Sequence, residues 1–201
     1  MSASPTAAEK RAFMRSLHER HPGFRVAVAE DARVTCFQRG ERSEFRSGLD
    51  TLLQVLRLMW VSDAFAAHVF YRARARMLAR RIPVLPRILH KLSMATAQVS
   101  IGDPVLLHPG VYIVHGQIVL DGLVELGPGT VIAPWVTVGL RGGNVQGPTV
   151  EGNVNIGTGA KLIGPIRVGH SAMIGANAVV VSDIPAGSTA VGIPAKVIGN
   201  N

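Results

Sequence analysis

The chain of 201 residues is poor in cysteine, aromatics and charge. Its one cysteine, Cys36, excludes a disulfide framework and a cysteine-rich zinc site, and fits a reducing compartment. Aromatic residues are 5% of the chain, too few for a nucleic-acid surface built on stacked bases. Charged residues are 17% against 47% hydrophobic, which excludes a disordered polyelectrolyte. Long apolar runs are missing too. The most apolar stretch, residues 49–71, is interrupted by Asp50, Arg57, Asp63 and His68, short of the roughly 18 unbroken residues of a membrane span. The first residues, MSASPTAAEKRAFMRSLHER, lack the apolar segment of a secretory leader. There is no Walker or dinucleotide glycine motif and no histidine–carboxylate spacing for a metal. These absences lead to the expectation of a cytoplasmic protein with no metal and no membrane span, with peripheral membrane contact left open.

What is present is unevenly placed. Residues 1–100 hold 17 of the 21 Lys and Arg and 8 of the 13 acids, a net of about +9. The other half is near −1, and carries 19 of the 22 glycines. Two regions with different physics meet near residue 100. The division expected is residues 1–98, mostly helical, and 99–201, a repeat domain with a C-terminal tail.

The repeat decides the fold class. Stepping by six from Leu120 gives Leu126, Ile132 and Val138. After a break at Asn144 the series resumes with Val150, Ile156, Leu162, Val168, Ile174 and Val180. Upstream, Ile101, Leu107, Ile113 and Val119 take the same step one residue out of register. A period of six fits neither a helix nor a simple strand. It fits a triangular solenoid of parallel strands, with the aliphatic residue pointing inward and a small residue turning each corner. The break, LRGGNVQGPT at 140–149, reads as a loop extruded from one corner, a common place for binding groups.

In the first hundred residues, 47–81 read as one helix. Ser47 can cap it, Leu49, Leu52, Leu53, Leu56, Met59 and Trp60 form its apolar stripe, and Pro83 and Pro86 stop it. Residues 87–97 read as a second helix, and 24–37 are ambiguous between helix and strand. The cluster Arg72, Arg74, Arg76, Arg80 and Arg81 reads as a solvated helix face near an acidic partner or substrate, in preference to a nucleic-acid or anionic-membrane surface.

The stretch GPTVEGNVNIGTGAKLIGPIRVGHSAMIGANAVVVSDIPAGSTAVGIPAKVIG (147–199), with VSIGDPVLLHPGVYIVHGQIVLDG (99–122) and more weakly FAAHVFYRARARML (65–78), resembles the left-handed β-helix acyltransferases. Within these it is similar to the serine acetyltransferase family and to relatives that acetylate sugars of surface polysaccharides. The resemblance implies a left-handed parallel β-helix, acetyl-CoA as acyl donor, and a homotrimer or a dimer of trimers. It places coenzyme A in a groove between adjacent solenoids, against Gly139, Thr158, Gly159 and Ala176, with Lys196 near the nucleotide end. His115, in YIVHGQIV, matches the family's catalytic histidine.

The chemistry suits that residue. A thioester is already activated, whereas a hydroxyl is a weak nucleophile that needs a base as it attacks, and histidine can serve near neutral pH. Turn amides around Gly139 are candidates to receive the oxyanion. The departures from the family pattern concern the acceptor. Ser100 and Val114 stand where the family has aspartates, and Gln146-Gly147-Pro148 where it has Arg-His-Pro. A zwitterionic amino acid needs a cation and an anion that these positions no longer supply. The expectation is therefore a sugar hydroxyl of surface polysaccharide or lipopolysaccharide, with Ser100, Arg141 and Asn144 as acceptor-side residues. Serine O-acetylation in cysteine biosynthesis is the alternative, and a non-catalytic scaffold the third reading. His115 lacks its orienting aspartate, so a carbonyl, Ser100 or a neighbouring subunit is expected to hold it; Asp103, Asp121 and Glu125 are the acids nearby in sequence.

Overall fold

The computed structural model describes residues 16–17, 19–142 and 144–200, the side chain of Asn200 excepted. The leader reading of the first fifteen residues therefore lies outside the described residues, as does Gly143 in the extruded loop. Four complete helices come first: α1 (Phe24–Gln38), α2 (Gly48–Val61), α3 (Asp63–Ala79) and α4 (Leu85–Ala97). Short strands follow, three to a coil: β1 (Val99–Ile101), β2 (Leu106–Leu107) and β3 (Tyr112–Ile113), then β4 (Ile118–Leu120), β5 (Leu123–Leu126) and β6 (Val131–Ile132). The third coil holds β7 (Thr137–Gly139), β8 (Gln146–Val150) and β9 (Asn155–Ile156), and the fourth β10 (Lys161–Ile163), β11 (Arg167–Val168) and β12 (Met173–Ile174). The last has β13 (Val179–Val180), a bridge at Ile184, and β14 (Ser188–Gly192), before β15 (Ala195–Asn200).

Each strand pairs with its counterpart one coil away, giving three sheets: β1-β4-β7-β10-β13, β2-β5-β8-β11 and β3-β6-β9-β12-β14. All these pairs are parallel, and only β15 returns antiparallel, along β14. The hexapeptide ladder lies inside the prism: Leu120, Leu126, Ile132, Val138, Val150, Ile156, Leu162, Val168, Ile174 and Val180 are all buried. The missing rung at Asn144 is the extruded loop between β7 and β8, after which Leu126 pairs with Val150 and the ladder resumes. One rung differs from expectation. Val99 pairs with Ile118, a step of nineteen, so the first coil contains one extra residue, Leu120 takes the inward place and Val119 points out.

The helical region departs further from its sequence reading. Residues 47–81 form two helices, because Ser62 is extended (φ −139°, ψ 104°), closes α2 and caps α3 by accepting a hydrogen bond from the Phe65 amide. Ser47 caps α2 as expected, accepting from the Asp50 amide. Residues 24–37 resolve to helix. The apolar stripe of α2 is outward: Leu49, Leu52, Leu53, Leu56 and Trp60 are exposed, and the helix packs instead through Leu58, with Val55 and Met59 partly buried against α1 and α3.

The arginine cluster is divided between core and surface, which corrects the solvated-face reading. Arg76, Arg80 and Arg81 are exposed, but Arg72 and Arg74 are buried beneath α3. Arg72 donates to both carboxylate oxygens of Asp31 (2.9 and 3.2 Å) and to the carbonyls of Leu107 (2.6 Å) and His108 (3.0 Å). Asp31 also accepts from the Gly110 amide (2.9 Å), so the buried pair is fully hydrogen-bonded and joins α1, α3 and the first coil. Beside it, the Tyr71 hydroxyl donates to Val105 O (2.8 Å) and accepts from the Leu107 amide (3.2 Å). Arg74 donates to the Ile101 carbonyl and lies 3.3 Å from Asp103. The basic residues of α3 thus satisfy carbonyls that the first coil, lacking a preceding coil, leaves unpaired. No helix among the described residues is long and apolar enough to cross a membrane.

Candidate active site

The corner between β3 and β4 holds Val114, His115, Gly116 and Gln117 against the end of α4. The Gln117 amide donates to Ala97 O (3.0 Å) and the Ile118 amide to Gln98 O (3.2 Å). Only glycine fits at 116, since a Cβ there would lie 1.7 Å from the Ala97 carbonyl oxygen. That contact sets the corner, and the corner sets His115. Its ring is exposed and has no hydrogen-bond partner among the described residues.

His115 lines a polar cavity of about 350 Å³ together with Arg39, Asp63, Thr96, Gln98 and Gln117. Arg39 closes α1 and is anchored through Nε to Glu41 (2.9 Å), whose carboxyl is held below the usual range by Arg57 and then by Arg39. Asp63 is the first residue of α3, exposed and without an ion pair among the described residues. Thr96, Ala97 and Gln98 at the C-terminal end of α4 form another wall, and the partial negative charge of a helix end favours a cation such as an imidazolium by about 0.3–1 kcal/mol. A base, one cation and one anion therefore share a small cavity. Arg39 and Asp63 escaped the sequence reading because each is over 50 residues from His115; the one local signal was the Ser62-Asp63 cap inside an otherwise helical run.

The other predicted site residues divide between two edges of the prism. Along the edge where the chain passes from third sheet to first, corners stack coil upon coil: His115, then Pro134-Trp135, Thr158-Gly159 and Ala176-Asn177. The Gly159 amide donates to Pro134 O (2.9 Å) and the Asn177 amide to Thr158 O (2.8 Å). Lys196, exposed on β15 opposite Val191, lies at the far end of this edge. At about 4.8 Å per strand, the row from His115 to Lys196 is roughly 24 Å long. Gln117, Trp135, Gly159 and Asn177 occupy the repeating left-handed position, at φ +65°, +67°, +74° and +56°. Such a backbone costs a bulky residue roughly 1–2 kcal/mol.

Gly139, Arg141 and Asn144 lie elsewhere, at the opposite end of the first sheet. Arg141 leans on Gly164, and the Asn144 side chain accepts from the Gln146 amide (2.8 Å), closing the extruded loop. Ser100 lines a separate cavity with Asp103 and Asp121, and Glu125 is bonded to His108 (2.8 Å) and Arg20 (2.6 Å). Within one chain, then, neither Ser100 nor any of those three acids lines the His115 cavity, and the Gly139 amide is not beside the imidazole. No cluster of three metal-ligating side chains occurs among the described residues.

A parallel three-sheet solenoid after N-terminal helices is the architecture of the hexapeptide-repeat class, and the relatives that follow make the chain an acyltransferase with acetyl-CoA as the acyl donor. No protein-family model matches the chain. It is 35% identical over 174 residues to a serine acetyltransferase of Synechococcus elongatus, covering 85% of this chain and 67% of that one. It is 38% identical over 131 residues to a serine acetyltransferase of Helicobacter pylori, covering 64% and 77%. Among solved structures, serine acetyltransferase from Brucella abortus superposes with a TM-score of 0.74 at 22% identity (98% of this chain, 77% of that). A serine acetyltransferase in complex with CoA superposes with a TM-score of 0.72 at 25% identity, covering 98% and 79%. The chain belongs to the serine acetyltransferase family. These relatives carry that name, not that of the polysaccharide O-acetyltransferases, so the narrower resemblance to sugar-modifying enzymes is not supported.

Proposed function

We propose that the chain transfers an acetyl group from acetyl-CoA to the hydroxyl of a small zwitterionic amino acid, L-serine before others, with His115 as general base. The observation that carries this reading is the His115 cavity. The cation and anion missing at Gln146 and Val114 are supplied by Arg39 and Asp63, from the helical region. Arg39 takes the substrate carboxylate and Asp63 its ammonium, which leaves the hydroxyl for the imidazole. His115 removes the hydroxyl proton as the oxygen bonds to the thioester carbonyl carbon. The C–S bond then breaks, and the imidazolium returns the proton to the departing sulfur. The negative end of the α4 dipole, with Asp63, stabilises the transient imidazolium in place of the absent aspartate. The relatives named as serine acetyltransferases support the same acceptor.

In this reading coenzyme A lies along the Thr158–Gly159–Ala176 edge, with Lys196 toward its phosphates. Packing of neighbouring copies as a trimer brings Gly139, Arg141 and Asn144 of one copy to the His115 edge of the next. Thiol release from acetyl-CoA, measured with L-serine and with a panel of free and nucleotide-linked sugars, tests the acceptor. Saturable turnover on serine is expected. Arg39→Gln and Asp63→Asn should each raise KM for serine about tenfold or more and leave KM for acetyl-CoA unchanged. His115→Ala should lower kcat by roughly 10²–10⁴. Turnover on a sugar with none on serine, or unchanged serine KM in both charge variants, overturns the assignment.

A further inference from the structure

Trp135 is a large aromatic residue in the wrong conformation for its size. It sits at φ +67°, where the corners one and two coils further on have Gly159 and Asn177, the residue types that tolerate this backbone. The residue is 56% exposed, so burial within the chain does not offset the strain. Nor does the fold need bulk here, since the equivalent corner at Gly159 turns with no side chain at all. Strain of this kind concentrates at functional sites. The location agrees: Trp135 stands one coil from His115 and one coil from Thr158, and is the largest side chain among the corner residues from His115 down to Asn177. Lys161 Nζ donates to its carbonyl (2.5 Å), which holds the corner.

We propose that the Trp135 indole is the wall against which the acyl end of coenzyme A packs, and that it restricts the enzyme to short acyl groups. The inference deepens the reading in which coenzyme A runs along this edge. An arm lying against Ala176, Gly159 and Thr158 meets the largest side chain of the edge at Trp135, so the thioester comes to rest between the indole and the imidazole. An acyl chain longer than acetyl then runs into the ring, whereas an acetyl group fits beside it.

The test is Trp135→Gly, which installs the residue found at the next corner and removes the backbone strain. The melting temperature should hold or rise, KM for acetyl-CoA should increase about five- to tenfold, and the preference for acetyl-CoA over butyryl-CoA in kcat/KM should narrow tenfold or more. Trp60→Phe leaves Trp135 as the sole tryptophan, because the chain contains two. In that variant coenzyme A alone, with no acceptor, should change the emission saturably. That titration needs no turnover, so it stands even where serine fails as acceptor. Silent emission together with an unchanged acyl preference in Trp135→Gly overturns the proposal. So does dissociation of an oligomer by Trp135→Gly with acyl preference intact, which makes the indole a contact between copies.

Discussion

At the scale of single residues, Gly116 decides where the imidazole stands. Its missing side chain lets the last carbonyls of α4 meet the β3–β4 corner directly, so a methyl group there must displace either the corner or the helix. Gly116→Ala is expected to destabilise by about 1–3 kcal/mol. It should lower kcat by around a hundredfold, as an ångström of misplacement does, with KM for acetyl-CoA little changed. Thermal melting and steady-state kinetics on one preparation check both. His115 and its glycine were visible in the sequence as a pair. The reason for the glycine was not, because Ala97 becomes its neighbour only when α4 docks.

At the scale of elements, the helical region is fastened to the solenoid by Asp31 of α1 and by Tyr71, Arg72 and Arg74 of α3. Removing one partner of a buried, hydrogen-bonded pair leaves a buried charge unpaired, so Asp31→Asn should destabilise by roughly 3–5 kcal/mol. His68 shares this interior, 3.5 Å from Asp31 and near Arg72 and Tyr71. Burial pushes its pKa down to about 4, against a smaller upward pull from Asp31 and a downward one from Arg72. The unfolded chain therefore binds this proton more readily than the folded one. Stability is expected to fall as pH drops from about 6.5 toward 4, by on the order of 3 kcal/mol. Urea midpoints at pH 7 and pH 5 should separate in the wild type, and separate less in His68→Gln. The arginine spacing in α3 was legible and its destination was not, since a helix face rich in arginine reads as solvated until a coil of unpaired carbonyls covers it.

At the scale of the molecule, a solenoid must end without leaving its last strand open to pairing with another chain. Here β15 folds back antiparallel along β14, with Ala190 opposite Val197 and Val191 opposite Lys196. Truncation after Gly192 bares that edge and removes Lys196 from the end of the coenzyme edge. The shortened protein should aggregate at concentrations where the full chain does not, with light scattering as the readout, and its soluble fraction should show a raised KM for acetyl-CoA.

The sequence by itself determined the prism, its inward ladder, the extruded loop and the histidine at the first corner. Each follows from a period of six, and periodicity is local: every rung repeats the environment of the one before. It showed a one-residue change of register near residue 119, but not that Leu120 turns inward and Val119 outward, nor the break at Ser62 or the exposed stripe of α2. Those depend on which neighbours an element meets. Nor could it assemble Arg39, Asp63 and His115 into one cavity, because only the docking of α1, α3 and α4 on the first coil closes the distances between residues so far apart along the chain.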